Sequence, residues 1–233
     1  MTSGFPGSPR LLKGALVVYE SHTPGAASRV IAFQYNPHQV SRSLSQGTTG
    51  TTEGGGRAGN PSRGQAQQDV LRVEGPPRET IRLTVELDAA DALEHPQEHG
   101  DVVSDGLHTM LATLELLLYP TSVEVLRQQT LAEQGEVQLN PAELPLTLLV
   151  WGRSRVAPVL LTALSVTEDA FDPALNPVKA TVELELRVLS YVDLPADSAG
   201  RDVYLAYQRR KESLAGRYRA GQREGETRGL LPG

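Results

Sequence analysis

The stretch from Glu143 to Tyr191 limits what this chain can fold into more than any other. Near its end, Ala180, Val182, Leu184, Leu186 and Val188 alternate with Thr181, Glu183, Glu185 and Arg187. A period of two marks a strand with one buried face and one wet face. Residues 155–167 read as a second strand, apolar on both faces through Val159, Leu160 and Leu161, as suits a core or an interface. Residues 144–151 give a third, ended by Gly152. The connection over 168–177 is turn-rich and offers a single aromatic, Phe171. Together these form an antiparallel unit from which the rest of the chain hangs.

Further strands are expected over 11–20, 29–35 and 79–87, with a short extended piece over 39–44. The first two are joined through Pro24-Gly25, a strong turn signal, and read as a hairpin. In 79–87, Ile81, Leu83, Val85 and Leu87 face one way, with Thr80, Arg82, Thr84 and Glu86 opposite. The segment 88–100 is acidic and reads as a loop. Apolar spacing then turns helical through Val103, Leu107, Met110, Leu111, Leu114, Leu117 and Leu118, ending at Tyr119-Pro120. A weaker helix follows over 123–136. Residues 45–78 are dominated by Gly, Ser, Thr, Gln and Pro, too poor in apolar surface to offset ordering entropy. They read as a flexible loop, or as one that orders against a neighbouring subunit. The expected organisation is a β domain over 1–192 and a linker with a basic helical tail over 193–233.

The tail is charged against the body. Net charge is -6, while residues 201–233 hold eight Lys and Arg and four Asp and Glu, about +4, leaving the first 200 residues at about -10. Tyr204, Tyr207, Leu214 and Tyr218 form a narrow stripe beside Arg209, Arg210, Lys211, Arg217 and Arg219. Such a stripe is too thin to fold alone and should dock on something. With 5% aromatics the chain offers few stacking platforms, so nucleic acid is not the expected partner. No run nears the roughly 20 apolar residues of a membrane span, and the opening residues lack a signal-peptide core. The reading is a soluble, cytoplasmic protein without membrane insertion. With no cysteine, disulfides and thiolate metal sites are excluded.

Chemistry-bearing residues do not converge. His95 and His99 flank Pro96, which disfavours one helical face, so with Asp91, Glu94, Glu98 and His108 nearby they read as a solvated acidic loop rather than a metal site. No serine sits in a nucleophile frame. Glu183 and Glu185 share the wet strand face. The residues 54–60, Gly-Gly-Gly-Arg-Ala-Gly-Asn, lack the Gly-Lys-Ser/Thr of a phosphate loop. No catalytic residue, cofactor site or metal site is expected. Trp151, closing its strand, reads as a core or rim aromatic or a subunit anchor.

Several motifs in order carry a resemblance: Phe33-Gln-Tyr35-Asn-Pro37 after a strand, Val40 to Leu44, Glu79 to Asp91, Leu116 to Pro120, Leu149-Val-Trp151-Gly152, and Asn176 to Tyr191. Over roughly residues 9–192 the chain resembles the contractile injection system tube protein family, the tube-initiator or spike-adaptor component of phage tail-like particles. The resemblance implies a mainly β (α+β) fold, a tail-tube-like antiparallel β-barrel or sandwich with one flanking helix. It implies a non-enzymatic structural subunit forming a homo-oligomeric ring, six copies, in the baseplate. Inner tube, spike and baseplate wedge proteins would be its neighbours, in a particle assembled in the cytoplasm and releasable outside. The residues expected to meet subunits or partners are Phe33, Tyr35, Trp151, Phe171, Tyr204, Tyr207, Arg209, Arg210 and Tyr218. The chain departs from the family in two places. A basic helix stands where many members carry LysM, and Ala157-Pro158 stands where a strand glycine is expected. The alternative reading is a β-barrel that binds a small ligand, and behind it a hydrolase.

Overall fold

The computed structural model describes residues 12–19, 29–46, 75–133 and 144–218. Seven strands form one antiparallel sheet: β1 (Ala15–Tyr19), β2 (Arg29–Ala32), β3 (Val40–Ser45), β4 (Arg78–Asp88), β5 (Leu146–Val150), β6 (Val156–Phe171) and β7 (Pro177–Val188). Their order across the sheet is β2-β1-β5-β6-β7-β4-β3. The helices are α1 (Ala90–Leu93), α2 (Gly100–Asp105), α3 (His108–Glu115), α4 (Ser122–Glu133) and α5 (Ala199–Ala215). The mainly β, α+β class is as the patterns imply. The Pro24-Gly25 turn, nearly all of the loop 45–78, the end of the 123–136 helix and the residues after Tyr218 lie outside the described residues.

The meander β5-β6-β7 is the spine. Ile81, Leu83 and Val85 of β4 stand opposite Leu186, Leu184 and Val182 of β7, which stand opposite Leu161, Leu164 and Val166 of β6. One residue set therefore meets its like across three strands, and that face is buried except at Leu164 and Val166, which are half-buried. β6 runs four residues into the expected turn, to Phe171, and β7 begins one residue inside it, at Pro177. An irregularity between Leu161 and Ala163 carries the apolar parity across a slip of one residue.

Of the barrel or sandwich expected, the antiparallel sheet forms without closing into a barrel. Among the described residues the ladder is open, with β2 and β3 at its edges. The sheet is nevertheless rolled. Lying flat, it would hold β2 and β4 about 24 Å apart, five strand spacings. Yet Gln34, two residues beyond β2, hydrogen-bonds the backbone of Asp88 at the end of β4. The buried faces of the strands thus look into one core, and helices cover its ends. At one end Leu107, Leu111, Leu114 and Leu117 enter from α3 and its flanks, with Leu107 N–H bonded to Pro177 O at 2.8 Å. At the other end Tyr204 and Tyr207 enter from α5.

The single helix expected from Val103 to Leu118 is broken. Gly106 adopts φ +57°, and a Cβ there would meet Pro177 O at 2.5 Å, so the chain turns between α2 and α3 where β7 passes. The segment read as a loop over 88–100 contains α1, whose first turn is held by Asp88 Oδ1 accepting from Ala90 N–H at 2.8 Å.

Candidate interaction surfaces

The residues 33–37 act as a staple. Phe33 follows the parity of Ile31, turns inward and packs against Trp151, ring centroids 6.3 Å apart. The neighbouring strand makes room with Gly14, where a Cβ would come within 2.5 Å of the Trp151 ring. Gln34 presents its amide as an adjacent strand residue would. Its Nε2 donates to Asp88 O at 2.8 Å and its Oε1 accepts from Asp88 N–H at 2.9 Å. Asn36 does the same for the start of β1, accepting from Gly14 N–H and donating to Leu12 O. Gln34 therefore holds the roll, and Asn36 prolongs the β1–β2 pairing where backbone pairing stops. Tyr35, between them, is half exposed.

A buried carboxylate fixes α5. Glu79 stands two residues before Ile81, so strand parity aims it into the core, and its side chain is only 5% exposed. An unpaired carboxylate there would be costly. Instead Tyr207 Oη donates to Oε1 at 2.8 Å, Arg42 to the same oxygen at 2.7 Å, and Lys211 Nζ to Oε2 at 2.7 Å. Lys211 Nζ also lies 4.0 Å from the centre of the Tyr207 ring. Burial pushes the Glu79 carboxyl up, but the hydrogen bonds from Lys211, Tyr207 and Arg42 outweigh it and hold it below its ordinary value. Burial and the Glu79 charge drive the Tyr207 hydroxyl far upward, so it stays a donor. One turn of α5 spaces Tyr207 and Lys211 so that both reach one acid. Ser198 caps the helix, accepting from Arg201 N–H. Of the stripe expected to dock, Tyr204 and Tyr207 join the core of the strands, whereas Leu214 and Tyr218 stay exposed; Leu194 packs in a second cluster with Leu146 and Leu148 of β5.

Of the residues expected at contacts, Phe33, Tyr204 and Tyr207 thus spend their rings inside the chain, and Trp151 is half-buried over Phe33. Arg210 reaches Ser154 Oγ at 3.1 Å. Tyr35, Phe171, Arg209 and Tyr218 are exposed. Phe171 ends β6 at a tip that Asp172 organises: its Oδ1 accepts from Ala174 N–H and Asn176 N–H, both at 2.8 Å. Asn176 braces the tip against α2 through Ser104 O. The Asn176 side-chain amide also donates to Asp172 Oδ2 at 2.9 Å, and this bond, with that from the Asn176 N–H, holds the Asp172 carboxyl below its ordinary value.

The outer face of β3, β4, β7 and β6 is polar. Arg82 stands opposite Glu185 and bonds it at 2.9 Å. Gln39, Ser41, Thr84, Ser165 and Glu183 surround the pair in an open groove of about 390 Å³. Beside it lies a bare strand edge. β5 pairs only with residues 156–159 of β6, and among the described residues no strand covers 160–171 on that side. His95 reaches only the Asp91 carbonyl, at 3.3 Å, and among the described residues no group of His, Asp and Glu is placed to hold a metal ion. No described helix is long and apolar enough to cross a membrane.

Glu79 is the residue that sequence reasoning missed. Its signal was parity: a charged residue in the inward row of a clean strand. No protein-family model matches the chain, and no curated protein matches it.

Proposed function

We propose that this chain is a structural, non-catalytic ring subunit at the tube–spike junction of a contractile injection particle. The observation that carries the reading is the bare edge of β6 over 160–171 beside a polar, solvent-facing sheet surface. An uncovered edge of that length is a template for another strand. In a ring it is completed by the next subunit, and the Ser, Thr, Arg and Glu of the outer face form a wetted wall. Glu168 and Asp169 on the bare half of β6 restrict which strand can pair there. The resemblance over residues 9–192 supplies the particle, and the staple at 33–37 gives its most recognisable motif a physical task.

Hydrogen exchange of the full chain, dilute and concentrated, tests the reading. In dilute protein the outward amides of 160–171 exchange freely, and in the assembled form they become protected. An assembled form in which they still exchange as fast would overturn edge completion as the basis of the ring.

A further inference from the structure

α3 and α4 follow one another yet treat their apolar residues oppositely. α3 and its flanks send Leu107, Leu111, Leu114 and Leu117 into the core. Across residues 116–126, Leu116, Tyr119, Val123, Val125 and Leu126 are instead 47–73% exposed, and α4 buries no residue at all. A helix of 12 residues is marginal in water unless something packs on its apolar side. The Glu124–Arg127 pair at 3.0 Å, one turn apart and open to solvent, adds little.

The other unsatisfied helix surface is the end of α5. Beyond Lys211, which bonds Glu79, every residue from 212 to 218 is exposed, Tyr218 to 78%. Leu214 is exposed there too, beside Arg209 and Arg217. The two surfaces differ in charge. Residues 115–133, which carry the ridge, hold three Glu and one Arg, whereas 209–219 hold five Lys and Arg and one Glu. Within one chain α5 packs on β6, and its anchorage at Glu79 fixes where its end points.

We infer that the apolar ridge over 116–126 of one copy receives the projecting end of α5 from a second copy. Leu214 and Tyr218 lie against Tyr119, Val123 and Leu126, and the arginines face Glu115 and Glu133, which flank the ridge. The occupant is another copy because the chain itself supplies both the apolar match and the opposite charge. The contact is heterologous, each copy giving one half and receiving the other, so it passes from subunit to subunit and can close by rotation. It rests on the ring-subunit reading, for which it names a lateral contact distinct from the β6 edge.

Native mass measurement of the full chain at low and high salt tests it. The wild type associates, and salt weakens the association. Val123→Asp and Tyr218→Asp, both at exposed positions, each weaken it about tenfold or more, with the circular dichroism of the wild type retained. Mixing the two variants restores a 1:1 dimer that grows no further, since each pair has one intact half-contact. A mixture that stays monomeric overturns the pairing of these two surfaces and leaves the ridge to a different protein. Rings that persist in both variants overturn this contact while the ring-subunit reading stands. A wild type that is monomeric at every salt concentration overturns both.

Discussion

Replacing Glu79 by Gln probes the clasp between α5 and the sheet. The change keeps the volume and an acceptor for Tyr207, and removes the charge that Arg42 and Lys211 share. A hydrogen bond to a charged group contributes about 1.5–3 kcal/mol, and breaking a buried pair costs about 3–5 kcal/mol when the partner stays buried and uncompensated. Here the Arg42 and Lys211 side chains are 30% and 39% exposed, so water replaces part of what the carboxylate provided. The expected loss at pH 7 is about 2 kcal/mol, lowering Tm by about 4–8 °C in a chain of this size. Urea unfolding followed through Trp151, the sole tryptophan, measures it. The folded state holds the Glu79 carboxyl below its ordinary value, so its contribution is full above the unfolded-chain pKa. It is lost as pH falls through the folded one. The gap between wild type and E79Q therefore closes in acid. A gap below about 0.5 kcal/mol at pH 7 would refute the account of the clasp, as would one that persists unchanged under acid conditions where both proteins still fold.

Gly14→Ala places a methyl group 2.5 Å from the Trp151 ring and 2.9 Å from Phe33. It should cost about 1–3 kcal/mol and shift the Trp151 emission; wild-type stability and emission would contradict the packing of those rings over Gly14. Gln34→Ala strips Asp88 of both outward backbone partners and should cost about 1–2 kcal/mol. The Asp88 amide should then exchange faster, and unchanged exchange would contradict the staple.

The strands were legible because burial on one face imposes period two, and each expected strand lies at or near the position where one forms. What periodicity does not carry is distance. Glu79 could be placed inward by parity, but its partners Tyr207 and Lys211 lie 128 and 132 residues further on. The turn at Gly106 answers to Pro177 O, which arrives from another element. Ladder closure depends on whether β2 and β3 meet, and no local pattern encodes that; the Gln34 bonds to Asp88 serve in its place. The aromatics expected at partner contacts were chosen by type, whereas their exposure follows from packing. α5 buries Tyr204 and Tyr207 and leaves Tyr218 outside because the sheet ends before the helix does. The basic tail is therefore no simple appendage, and deleting residues 201–233 would remove two rings from the core.

Electron images of the purified full chain test the central claim most directly. The account predicts rings of about six copies with an open centre, closed by cyclic repetition of one heterologous contact. A field of single compact particles at the highest soluble concentration would contradict it.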